Sequence, residues 1–181
     1  MSAVCSIWAW RHPKPDGVAG RCIGQTDVLV DRRKAKRLAH RVRQAARQHG
    51  LPRVIHTSPL QRCRSVGRIL RTWGWRHHVD ASLAEIDFGA WDGKPWGEIP
   101  RDEIDAWVAD FSGYQPGGGE SLRHVLQRAQ AWQTKEGEPV LVIAHAGWML
   151  ARQWVNENGK PPVGAHEWPK PPAYGQCWPL R

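Results

Sequence analysis

Five residues of this chain have the types and settings needed to work on an anionic ester: Arg11, His12, Arg62, Glu85 and His145. A phosphate monoester repels nucleophiles because its oxygens are negative, so a site that attacks it must neutralise them and hold donors against the charge that develops. Arg11 and Arg62 supply two planar guanidinium forks, each able to grip two phosphate oxygens and charged at every working pH. His145, when protonated, adds a third donor. A neutral imidazole is a competent covalent nucleophile, and neighbouring guanidinium groups favour its neutral form by penalising a further positive charge; His12 is placed for that role. The departing alkoxide then needs a proton. Glu85 is the candidate, because a carboxyl beside an anionic phosphate has a raised pKa, and the same group can next take a proton from the water that attacks a phosphohistidine. No cluster with metal-ligand spacing accompanies these residues, so neither a metal nor another cofactor is expected.

The elements that must carry these side chains follow from the sequence pattern. Val4 to Trp10 is rich in β-favouring residues and breaks at Pro13 and Pro15, so a strand delivers Arg11 and His12 to its carboxyl end. Asp31 caps a helix whose stripe of Ala35, Leu38, Ala39, Val42, Ala45 and Ala46 faces a core, and Gly50 and Pro52 end it. Arg53 to Thr57 reads as a second strand, with Ser58 as helix cap and Pro59 as the first residue of a helix reaching about Gly74. Ala81 to Gly97 is an ordered excursion without clear period, followed by a helix near Pro100 to Phe111 and a loop at Pro116 to Gly119. Ser121 to Lys135 has helical spacing, Val140 to Ala144 is a buried strand, Gly147 to Asn158 a helix, and Gln176 to Leu180 a last strand after the Pro-rich connection Gly159 to Pro172. Strands alternating with helices predict an α/β fold, a three-layer α/β/α sandwich with a mostly parallel sheet and helices on both faces, as one domain over residues 1–181. In such sheets ligands bind beyond the carboxyl ends of the strands, where Arg11-His12, Arg62 and His145 are expected to converge.

A net charge of +9 and twelve tryptophans favour anionic partners and indole-walled pockets. Much of that charge lies on the first helix, in Arg32, Arg33, Lys34, Lys36, Arg37, Arg41, Arg43 and Arg47, where it covers the face opposite the apolar stripe. A solvated surface explains it, and nucleic acid is not the expected partner, since no base-stacking aromatic is interleaved. The chain has no run of about 18 uncharged apolar residues and no basic-then-apolar leader, which predicts no membrane association and a cytoplasmic location. Cys5, Cys22, Cys63 and Cys177 lack paired spacing and are read as reduced structural thiols.

Taken in order, the motifs resemble those of the histidine phosphatase superfamily, the group that includes phosphoglycerate mutases. Trp10-Arg11-His12-Pro13 is similar to its R-H-G nucleophile motif, and Ser58-Pro59-Leu60-Gln61-Arg62 to its S-P-L-x-R. The segment from Leu83 to Gly93, containing Glu85, resembles the family stretch that carries the proton donor, and Gly118-Gly119-Glu120-Ser121 and His145-Ala146-Gly147 complete the set. The resemblance implies a phosphohistidine on His12, with Arg11, Arg62 and His145 on phosphate and Glu85 as acid and base. Within the superfamily, the stretch from Arg11 through Asp27 and the ending Pro171 to Gly175 are most like α-ribazole phosphatases, which implies α-ribazole 5′-phosphate as substrate in cobalamin nucleotide-loop assembly. Two positions depart from the pattern: Pro13 replaces a glycine and so removes a backbone donor, and Val18 stands where relatives carry asparagine.

Alternatives stay open at this level. A broad sugar or nucleotide phosphatase uses the same groups, as does a mutase, although the short region between Glu85 and Gly117 favours transfer to water. A non-catalytic basic nucleic-acid-binding module on the same scaffold is the reading from another class. Asp87 and Asp92 compete with Glu85 as the acid, Ser121 and Glu120 read as helix-end groups, and Trp91 and Trp96 are candidates for stacking on a flat leaving group. Oligomeric state has no sequence signal.

Overall fold

The computed structural model describes residues 7–133 and 138–181. Its strands are β1 (Ile7–Arg11), β2 (Val54–Thr57), β3 (Arg76–Val79), β4 (Val140–Ala144) and β5 (Cys177–Leu180), and its helices α1 (Arg32–Gln48), α2 (Gln61–Thr72), α3 (Arg101–Ala109), α4 (Leu122–Ala131) and α5 (Ala146–Glu157). The sheet runs β3-β2-β4-β1-β5. The pairs β1–β4, β2–β4 and β2–β3 are parallel, and β5 closes one edge antiparallel to β1.

Every residue of β4 is buried, as its continuous apolar run requires of a strand covered on both faces. Leu141 and Ile143 pack with Leu38 and Val42 of α1 and Val66 and Leu70 of α2. Val142 and Ala144 join the opposite cluster with Val125 and Ala129 of α4 and Met149 of α5. The fold is thus the expected α/β/α sandwich. Among the described residues no helix is long and apolar enough to cross a membrane.

Several boundaries differ from expectation for identifiable reasons. β1 continues through Arg11, so that arginine is the last strand residue and His12 the first beyond it; Val4, Cys5 and Ser6 lie outside the described residues. Asp31 caps α1 as predicted, accepting from the backbone of Arg33 at 2.8 Å and Lys34 at 3.1 Å. α2 begins at Gln61 rather than at Pro59, because Asp27 reaches in from the preceding loop and accepts from Gln61 N at 2.6 Å. Ser58 instead closes a turn, its Oγ accepting from Leu60 N at 3.3 Å. α4 ends at Ala131, and the expected extension to Lys135 falls partly outside the described residues. The excursion from 81 to 98 is a chain of short 3-10 turns.

Candidate active site

Register brings the site together. Arg11 lies opposite Ala144 in the β1–β4 pairing, and beyond it His12 N donates to Ala144 O at 3.0 Å while Ser58 N donates to Ile143 O at 3.3 Å. His12, Ser58 and His145, the first residues past three neighbouring strand ends, therefore lie side by side, with the two imidazole centroids 5.0 Å apart. A cavity of about 190 Å³ opens in front of them. Arg11, His12, Arg21, Arg62 and Glu85 provide its polar wall, and Val18, Phe88, Trp96 and Tyr174 its rim.

His12 is 5% exposed, and its Nδ1 lies 2.8 Å from the Pro13 carbonyl oxygen. A carbonyl only accepts, so Nδ1 carries the proton and Nε2 keeps its lone pair. Burial, reinforced by Arg62 and Arg11 against the opposing Pro13 hydrogen bond, lowers the His12 pKa to about 3. The imidazole is thus neutral across the ordinary pH range. Pro13 gives up a donor at this point, but its carbonyl fixes the ring's tautomer.

Arg11 spreads its guanidinium 3.8 Å above the Tyr174 ring and donates from NH1 to Pro172 O at 2.8 Å. Its Nε is buried without a protein partner, leaving donor capacity at the cavity wall. Arg62, 1% exposed in the first turn of α2, donates from NH1 to Thr26 O at 2.8 Å, from NH2 to Gly24 O and from Nε to His145 Nδ1 at 3.2 Å. The loop bearing those two carbonyls is pinned by Asp92, whose carboxylate accepts from the backbone of Gly24, Gln25 and Thr26 at 3.1, 2.6 and 3.0 Å and from Thr26 Oγ1 at 2.7 Å. Asp92 is therefore a support for Arg62 rather than a competing acid.

His145 stands at its strand end beside His12 and Arg62, as expected, but deeper than the cavity wall. It is fully buried behind the cavity and is not among the residues that line it. Burial, together with the His12 ring and the Arg62 guanidinium, holds its pKa well below the usual imidazole value, so it is neutral rather than a protonated donor. Its Nδ1 accepts from Arg62, which leaves Nε2 to carry the proton, 3.3 Å from Cys63 Sγ. That thiol, pushed upward by burial, stays protonated.

Glu85 faces His12 from the excursion. Its Oε1 accepts from Ile86 N and Gly147 N, each at 3.0 Å, at the amino end of α5, where the helix dipole favours negative charge. Burial nevertheless outweighs these donors and the Arg62 charge and raises its pKa above the ordinary glutamate value. The fit depends on a missing side chain: a Cβ on Gly147 would stand 2.3 Å from Oε1. Behind Glu85, Arg128 donates from NH1 to the carbonyls of Ser82 and Ala84, both at 2.9 Å, and forms a two-point ion pair with Glu120 at 3.0 and 2.8 Å. Ser121 caps α4 as expected, through His124 N. Glu120 binds Arg128 instead of serving the helix end.

Arg21 and Tyr174 line the cavity without having been singled out as site residues. Arg21 is exposed and donates to Gly93 O at 2.8 Å, placing a third guanidinium near the mouth, three residues after Val18. Only the positive charge of a loop arginine marked it in the sequence. Of the two stacking candidates, Trp96 is 40% exposed at the rim. Trp91 is only 1% exposed and donates from Nε1 to Glu103 at 2.5 Å, so it belongs to a core with Trp107 and Tyr114 and cannot meet a ligand.

A parallel sheet with a buried histidine, clustered guanidinium groups and one carboxyl at its strand ends defines the class. The chain belongs to the histidine phosphatase superfamily (branch 1), whose family model matches residues 7–159. Its fold is that of YhfR from Bacillus stearothermophilus (TM-score 0.78, 23% identity, 96% of this chain and 89% of that one). It is equally that of a mycobacterial glucosyl-3-phosphoglycerate phosphatase, Rv2419c, in complex with VO3 (TM-score 0.74, 23% identity, 96% and 90% covered). Among curated proteins, the bifunctional protein Rv2228c of Mycobacterium tuberculosis is 35% identical over 109 residues, 55% of this chain. The chain spans only 29% of that relative's length.

Proposed function

We propose that this protein is a metal-independent phosphomonoesterase acting through a phosphohistidine on His12 Nε2. What supports the reading above all is the Nδ1 contact to the Pro13 carbonyl, which leaves the other ring nitrogen unprotonated beside two guanidinium groups and a carboxyl of raised pKa. Arg11 and Arg62 bind the phosphoryl oxygens, and His145 orients Arg62. Nε2 attacks phosphorus as the ester P–O bond breaks, and Glu85 passes its proton to the departing alkoxide. Water then attacks phosphorus as Glu85 takes up its proton, releasing inorganic phosphate and restoring neutral His12. The guanidinium groups offset the charge that a metal offsets in other phosphatases.

The substrate we propose is α-ribazole 5′-phosphate, in cobalamin nucleotide-loop assembly in the cytoplasm. The sequence likeness over residues 11–27 and 171–175 and the exposed indole of Trp96 at the rim support it. A panel of this ester, phosphoglycerates, sugar phosphates and nucleotides, assayed with and without chelator, tests both levels. The expected result is chelator-resistant phosphate release, highest on α-ribazole 5′-phosphate, with an acid-labile, alkali-stable phosphoenzyme that disappears in His12→Ala. Unchanged turnover by His12→Ala, or activity lost to chelation and restored only by a divalent metal, sinks the mechanism; a clear preference for another ester sinks the substrate.

A further inference from the structure

Beside the catalytic cavity lies a second one, of about 260 Å³, walled mainly by Phe88, Trp107, Phe111 and Trp168. Phe88 is common to both. Its ring stands edge-on to Trp96 of the catalytic cavity (6.2 Å between centroids, 82°) and to Trp107 of the second (6.3 Å, 78°), and those two indoles stack on each other at 6.4 Å, so three aromatic rings form the partition. Among the described residues Glu120 is the one charged group in the lining, and Arg128 engages both its oxygens. An apolar ring entering there strips water from no uncompensated ion.

The catalytic cavity is itself smaller than the roughly 300 Å³ at which pockets begin to enclose a drug-sized molecule. A phosphoryl group held against the guanidinium wall occupies its inner end, so a leaving group has to extend outward past the Phe88–Trp96 rim. A space of about 150 Å³ accommodates a benzene ring, so the neighbouring pocket has room for a ring and a short linker. Resting on the phosphomonoesterase reading, we infer that this pocket is the leaving-group site and that it takes a flat, apolar ring joined to the phosphate by a short arm. Aromatic walls at edge and face angles suit such a group, and the partition sets its distance from phosphorus.

Phenethyl phosphate and ethyl phosphate test this, because both release primary alkoxides and differ mainly in the ring. The expected kcat/KM ratio is about tenfold to a hundredfold in favour of phenethyl phosphate. Ala165, exposed in a short 3-10 turn at the pocket's edge, is the position from which to fill it. Ala165→Phe should collapse the ratio toward one, and the smaller filler Ala165→Leu should give an intermediate value. Equal, His12-dependent turnover of the two esters overturns the pocket and leaves the phosphatase reading standing, as does a high ratio that both fillers leave intact. Hydrolysis of neither ester by a protein that turns over α-ribazole 5′-phosphate or another panel ester overturns this inference alone, and hydrolysis of no ester at all overturns the functional reading with it.

Discussion

Gly147→Ala isolates the proton donor from the rest of the site. The new methyl carbon would lie 2.3 Å from Glu85 Oε1 and 2.9 Å from two side-chain carbons of Ile86, whereas ordinary contact begins at 3.4 Å. The backbone at Gly147 is helical, and alanine favours a helix over glycine by about 1 kcal/mol, so the backbone itself does not oppose the change. The carboxyl must therefore retreat by about 1 Å, a misplacement that costs on the order of 10²-fold in rate. On the proposed role of Glu85 as donor to the leaving oxygen, the loss should be largest for an alkyl ester such as ethyl phosphate and much smaller for para-nitrophenyl phosphate, whose leaving group departs without help. Steady-state kinetics on both esters, with urea unfolding as a control for folding, reads the effect. A stable variant with alkyl-ester activity within about threefold of wild type would refute the placement of Glu85 against α5.

Three further outcomes are expected. Asp92→Asn keeps one acceptor oxygen but loses the other, which serves Gln25 N and Thr26 N; urea unfolding should show a loss of about 2–3 kcal/mol, with KM raised because the carbonyls that hold Arg62 are released. Arg128→Leu leaves the Glu120 carboxylate, 17% exposed, without its ion pair and frees the Ser82 and Ala84 carbonyls; a cost of about 3 kcal/mol and a fall in kcat should follow, and a loss below about 1 kcal/mol refutes the brace. For pH, the proposed mechanism requires neutral His12 and protonated Glu85 at the start of the reaction. On an alkyl ester kcat/KM should hold from about pH 3, where His12 of the free protein takes up its proton, up to the raised Glu85 pKa, and fall on the alkaline side. Stability has its own window: an unfolded histidine protonates near 6.5 and native His12 near 3, so its contribution is complete above 6.5 and is lost as the pH falls towards 3, as acid-titrated unfolding would record.

Much of the architecture was legible because its signals are local. The unbroken apolar run of β4, the stripe and cap of α1 and the Ser121 cap each follow from a few adjacent residues. β3 was not legible: Arg76-His77-His78-Val79 has no apolar alternation, being largely exposed at a sheet edge, and only pairing with β2 defines it. The start of α2 has no local signal, because its capping acid, Asp27, lies 34 residues earlier in the chain. At the site, strand ends announced Arg11, His12 and His145, but the depth at which His145 sits depends on the packing of Arg62 and Cys63 around it. The same holds for Trp91 against Trp96, five positions apart in one excursion, where a hydrogen bond to Glu103 turns one indole inward.

The perch of Arg11 on Tyr174 has a consequence for how the protein comes into being. That arginine also donates to a carbonyl 161 residues downstream, and its own carbonyl accepts from Gly175 N. In a chain still being translated, His12 and Arg11 are made 161 residues ahead of that carbonyl and are not oriented until the stretch around 172–175 has left the ribosome and closed back over β1. Such a long-range closure is among the slower steps of folding, so on the proposed function the growing polypeptide should remain inert towards phosphate esters until that stretch has emerged and docked.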